Sequence, residues 1–189
     1  YGAMATQTCA SFNACFWQEA TEGLYDVIDG AQCDTSLRPN QIFAVSLPYT
    51  MLSHERARRV VDLVARHLLT PYGLRSLAPT DPQYRGYYAG GPEERDSVYH
   101  QGTVWAWLLG PFLTAYVKVY GKAGRQQAMA WLTGIRTHFQ EAGLGHVAEI
   151  FDGEPPHHPR GCIAQAWSMA EILRALVALH HPQPAVPSW

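Results

Sequence analysis

Two stretches of this chain are apolar on every side of a helix, and they restrict its possible folds more than any other feature. From about Tyr99 to Tyr120, Val104, Trp105, Trp107, Leu108, Leu109, Phe112 and Leu113 point all round a helical wheel. The stretch from about Cys162 to Leu179 has the same character. A helix without a polar face must be enclosed on all sides. Segments of the opposite kind alternate with these two. From Ser53, a helix cap, to about Leu69 the stripe Ala57, Val60, Val61, Val64 and Leu68 faces inward, with Arg56, Arg59, Asp62 and Arg66 outward. Arg125 to Glu141 places Met129, Leu132, Ile135 and Phe139 on one face. A weak helical signal covers Ala5 to Ala20, and Asn40 to Leu47 reads as a short apolar helix capped by Asn40 and ended by Pro48. Gly110-Pro111 predicts a kink within the long buried helix. No strand-like alternation is visible.

The expected order is weak helix, buried, amphipathic, buried, amphipathic, buried. Two concentric rings of helices would produce it, the inner ring enclosed by the outer. The expectation is an all-α fold, about half of a twelve-helix α/α barrel, although a six-helix bundle satisfies the same periodicity. Residues 1–189 read as a single domain. Tyr1-Gly2-Ala3-Met4 reads as a cloning remnant, and residues 181–189, with Pro182 and Pro184, as a loose tail.

Composition removes several functional classes. The chain is 47% hydrophobic and 16% charged, with a net charge of −2 and no long run of one sign. Nucleic acid and anionic membrane are therefore not expected as partners. No apolar run reaches the roughly 18 residues of a membrane span, and no signal peptide is visible, so a cytoplasmic location is expected. Cys9, Cys15, Cys33 and Cys162 form no CxxC pair and read as small buried apolar residues of a reduced protein. His157 and His158 match no standard metal spacing, so neither metal nor cofactor is expected. No phosphate-cradling loop, nucleophile elbow or dinucleotide fingerprint occurs. Six Trp and ten Tyr suit both a large core and a sugar-stacking surface.

Two connections, residues 70–98 and 143–161, exceed the roughly 12–15 residues typical of structureless loops yet carry Tyr, Phe, Leu and Ile. Both lead into the N-terminal end of an inner-type helix, as does Arg38-Pro39-Asn40-Gln41, so one rim of the helical ring should gather all three. Candidate binding side chains there are Arg38 and Asn40, which could hydrogen-bond sugar hydroxyls, Tyr72 and Arg75 presented by a shaped loop, and His100, Gln101 and Trp105, which can hydrogen-bond and stack a ring. Arg38 and Asn40 are equally suited to a structural ion pair and a helix cap. In Gly145-His146-Val147-Ala148-Glu149-Ile150-Phe151-Asp152-Gly153 two carboxylates flank apolar residues, a setting that suits a proton-transferring group.

Together, Leu24-Tyr25-Asp26-Val27, Arg38-Pro39-Asn40-Gln41, the Thr70–Pro79 loop, Tyr99–Trp107, Glu149-Ile150-Phe151-Asp152-Gly153 and Pro159-Arg160-Gly161-Cys162-Ile163-Ala164-Gln165-Ala166-Trp167 resemble the C-terminal region of the amylo-α-1,6-glucosidase family of glycogen-debranching enzymes. The resemblance implies part of an (α/α)6 barrel of the six-hairpin glycosidase type. It also implies inverting hydrolysis of the α-1,6-linked glucose at a glycogen branch stub. By resemblance Glu149 falls at the general-base position, with Asp152 next in line, and Arg38, Asn40, Tyr72, Arg75, His100, Gln101 and Trp105 line the sugar pocket. The family's acid is an Asp in a Trp-Met-Asp segment of the first barrel half, and no Trp-Met-Asp occurs in this sequence. The isolated chain is therefore expected to be inactive. Its implied partners are a branched α-glucan and either the other half of the barrel or a second copy. The alternative function is a non-catalytic α-glucan-binding or assembly module derived from such an enzyme.

Overall fold

A computed structural model describes residues 1–181. The chain opens with α1 (Gly2–Phe16) and two short hairpins, β1 (Trp17–Gln18) with β2 (Gly23–Leu24), and β3 (Val27–Asp29) with β4 (Gln32–Asp34). A 3-10 turn at Pro39–Ile42 runs into α2 (Phe43–Ser46), followed by α3 (His54–His67). Next come β5 (Leu69–Thr70), β6 (Gly73–Arg75), α4 (Pro92–Val98) and β7 (Val104–Trp105). A 3-10 turn at Ala106–Leu108 leads into α5 (Leu109–Trp131) and α6 (Thr133–Glu141). The described chain ends with β8 (Ile150–Phe151), β9 (Pro159–Arg160) and α7 (Ala166–His180).

The expected amphipathic helix is α3: Ser53 Oγ accepts from the Arg56 N–H, and Ala57, Val60, Val61 and Val64 are buried. The first buried segment is different. Residues 99–108 are turn, strand and 3-10 turn, and the helix starts only at Leu109. Gly110-Pro111 makes no kink, because it lies in the first turn of α5, where proline's missing N–H has no partner to lose. The break comes at Gly121, whose φ of 58° lies in the left-handed region. Asn40 does not cap its turn; Arg38 occupies that position in extended conformation. The last helix starts at Ala166 and is enclosed on one side only. Ser168, Ile172, Ala175 and Leu179 are buried, whereas Trp167, Leu173 and Val177 are exposed. Cys15, Cys33 and Cys162 are exposed and Cys9 is half-buried, contrary to the expected burial. The tail beyond His181 lies outside the described residues.

The fold is not purely helical. Five strands pair antiparallel in the order β5-β6-β7-β8-β9, with Leu74 opposite Trp105, Trp105 opposite Ile150, and Ile150 opposite Arg160. Each strand is two or three residues long, too short for the four-residue alternation that betrays a strand in sequence. This sheet joins the two long connections to each other through β7.

The core lies where α5 packs against α7, α2 and α3. Ile42, Val45, Val60, Leu68, Leu74, Leu109, Phe112, Leu113, Ile135 and Phe151 are all but inaccessible to solvent, each contributing about 1.5–3 kcal/mol by burial. Gly110 permits the close approach of α5 to α7: a Cβ there would stand 2.8 Å from the Glu171 carbonyl oxygen. Lys118 on α5 donates to the Val45 carbonyl at 3.1 Å and to that of Leu47, closing the C-terminal end of α2. Among the described residues no helix is long and apolar enough to cross a membrane.

Candidate active site

Arg38 gathers three segments. The extended backbone ahead of Pro39 aims its guanidinium inward. One nitrogen donates to the Ser76 carbonyl at 3.1 Å and the His100 carbonyl at 2.7 Å, another to Gln101 Oε1 at 2.7 Å. Asp26 lies 3.7 Å from its Nε, with the two side chains only 19% and 12% exposed. A planar group with several fixed donors suits such bridging better than an ammonium would. Asn40 donates to the other oxygen of Asp26 at 2.8 Å. Much of Arg38 and Asn40 therefore serves to hold the rim together.

Glu149 immediately precedes β8, and each of its oxygens accepts hydrogen bonds. Oε1 accepts from the Tyr99 hydroxyl and, at 3.5 Å, from the Gln165 amide; Oε2 accepts from the Cys162 N–H at 2.9 Å. Gly161 makes the last contact possible: its φ is +65°, and a Cβ there would stand 2.3 Å from Oε2. Tyr99 links this carboxylate to the rest of the cluster. Its ring meets Trp105 and His100 edge-on, both at 4.9 Å, and lies 5.6 Å from Tyr88. Burial first, and then the bond to Glu149, raise the Tyr99 phenol well above its ordinary value, so it is a protonated donor at neutral pH. His100 stacks flat on Trp105 at 4.9 Å and remains open to solvent. Partial desolvation of the ring against Trp105 and Tyr99, then the positive charge of Arg38, lowers its pKa and favours neutral imidazole. Glu149, His100, Gln101, Trp105 and Arg38 thus form one contiguous cluster of aromatic and polar side chains around a carboxylate, with Trp105 buried beneath the exposed His100.

Three other candidates lie apart from the Glu149 carboxylate. Tyr72 stacks on Phe151 at 4.6 Å and meets His138 and His157 edge-on. It borders a separate cavity of about 290 Å³. Arg75 donates from Nε to the Gly153 carbonyl at 2.9 Å. It neighbours Tyr84, whose buried hydroxyl has no partner in hydrogen-bonding geometry; burial, more than nearby Glu154, pushes that phenol up to about 12. Asp152, the second carboxylate of the 145–153 loop, is fully buried. It accepts a two-pronged pair from Arg160 at 2.9 to 3.2 Å and the Tyr88 N–H at 2.9 Å, so its lone pairs serve the fold.

Sequence reasoning missed the roles of Tyr99, Asp26, Arg160 and the Cys162 N–H. Each acts on a residue far along the chain or through the backbone, and no local pattern signals that. Another cavity, of about 270 Å³, runs from Arg38 and Asn40 toward Phe12, Phe43 and Tyr49. Among the described residues no three His, Cys, Asp or Glu side chains are grouped to hold a metal ion.

Comparison with known proteins gives this geometry a lineage. A family model described as amylo-alpha-1,6-glucosidase matches residues 1–174. The glycogen debranching enzyme of Saccharomyces cerevisiae is 36% identical over 161 residues, covering 74% of this chain and 10% of that protein. Among solved structures, the neutral trehalase of the same yeast superposes with a TM-score of 0.62 at 18% identity, over 98% of this chain and 33% of the trehalase. The chain thus spans about a tenth of its curated relative and a third of its structural neighbour. The helical scaffold is shared with that neighbour, and the match over nearly the whole described length assigns the chain to the amylo-alpha-1,6-glucosidase family.

Proposed function

We propose that this chain supplies the general base and one wall of the glucose pocket in an inverting α-1,6-glucosidase barrel acting on branched α-glucan. The observation that carries the reading is the Glu149 carboxylate, anchored on both oxygens and set beside the stacked His100–Trp105 pair. In such a reaction Glu149 takes a proton from a water as that water's oxygen bonds to the anomeric carbon. The glycosidic C–O bond breaks on the opposite face, and its oxygen receives a proton from a carboxylic acid about 6.5–9.5 Å from the base. The family resemblance puts that acid in a Trp-Met-Asp segment that this sequence lacks. The chain alone should therefore bind glucan without turning it over. His100, stacked over the buried Trp105, offers its open face to the apolar side of a glucose ring, and Gln101 offers hydroxyl partners.

Ile163, Trp167, Leu173 and Val177 form an exposed apolar edge along and ahead of α7. Such a patch is the kind of surface a partner covers, and we assign it to the remainder of the barrel, or to a second copy when the chain is alone. The test of the catalytic reading is Glu149→Gln in an intact enzyme containing this region. Turnover of a branched dextrin should fall about 100- to 10,000-fold, the range of general-base assistance, with the melting temperature little changed. Retained turnover would remove Glu149 from the mechanism.

A further inference from the structure

We propose that Tyr99 is the positioning residue of the base: its hydroxyl fixes the Glu149 carboxylate in the one orientation from which it can take a proton from water. The proposal rests on the reading of Glu149 as the base and names a residue to which neither the sequence motifs nor the family assignment gives a role.

A glutamate side chain turns about three bonds, so a carboxylate used as a base must be held at both oxygens to keep a free lone pair aimed at its water. Tyr99 holds Oε1 and the Cys162 N–H holds Oε2. Gln165 adds only a long contact at 3.5 Å. Of the two strong donors, the peptide N–H depends on the backbone turn at Gly161, whereas the phenol is held by packing. The Tyr99 ring is confined by Tyr88, His100 and Trp105. Its own carbonyl accepts from Thr103 Oγ1 at 2.6 Å and Trp105 Nε1 at 3.3 Å, which fixes the backbone carrying the ring. The base is therefore oriented by a residue that the neighbouring aromatics themselves hold in place. Misplacing a reacting group by about 1 Å can cost on the order of 100-fold in rate.

The experiment is Tyr99→Phe in an intact enzyme carrying this region, which removes one oxygen and keeps the ring. The expected result is a kcat lower by about 10- to 100-fold, with KM within about twofold. A purely structural role would lower the melting temperature and leave kcat of the still-folded enzyme unchanged. Replacement of Tyr99 by 3-fluorotyrosine preserves both the packing and the hydroxyl donor, so it should restore most of the kcat lost in Tyr99→Phe. An unchanged kcat in Tyr99→Phe, with Glu149→Gln inactive, overturns the role of Tyr99 and spares that of Glu149. An active Glu149→Gln overturns both.

Discussion

Replacing Asp152 by Asn tests whether the second carboxylate of the 145–153 loop belongs to the fold rather than to the chemistry. The native carboxylate is inaccessible to solvent and receives two nitrogens of Arg160 and the Tyr88 N–H, tying β8 to β9 and to the long loop after β6. Removing one partner of a fully buried pair costs about 3–5 kcal/mol. The Arg160 side chain is 38% exposed and can recover part of its hydration, and the amide oxygen of Asn still accepts from Tyr88. That reduces the expected loss to about 2–3 kcal/mol. For a chain of this size each kcal/mol moves the melting temperature by about 2–4 °C, so Asp152→Asn should melt about 4–12 °C lower. Circular dichroism of the isolated chain at pH 7 measures it. A drop under about 2 °C would mean that the Arg160 pair contributes almost nothing and that the loop is held otherwise.

Tyr72→Ala should cost about 2–3 kcal/mol through the lost stack on Phe151 and leave dextrin affinity of the folded chain unchanged; a weaker Kd without a lower Tm would return Tyr72 to the sugar site. Burial, opposed only by Glu141, lowers the pKa of His138, whose Nε2 accepts from the Ala148 N–H at 3.2 Å. The unfolded state therefore takes up the proton first, so this contribution to stability is intact above pH 6.5, the ordinary value, and is lost as pH falls below it. His138→Leu should flatten the dependence of Tm on pH between about 7.5 and 5, and an identical slope in the variant would count against it. Because Trp167, Leu173 and Val177 lie exposed on α7, the isolated chain should scatter light as a dimer at micromolar concentration. A monomer would show that this edge tolerates water.

Local chemistry decided some elements without help. Ser53 before an apolar stripe at helical spacing specifies α3, because the cap and the amphipathic face are written within one short segment. The Glu149 loop stood out for a comparable reason, two carboxylates among apolar neighbours, although only geometry separated the one bonded by Tyr99 from the one held by Arg160. The Tyr99–Trp107 run misled because its apolar residues are buried by a sheet rather than by a helix. Val104 and Trp105 pair with Arg75, Leu74, Ile150 and Phe151 from distant segments, and dipeptide strands leave no periodic trace. Much of the candidate site depends on such distant partners: Tyr99 meets Glu149 across 50 residues and Arg38 meets Gln101 across 63. Side-chain type and local spacing can nominate the residues of a site. Which of them touch is settled by long-range pairing, whose cost in chain entropy is recovered only when the whole core closes around it.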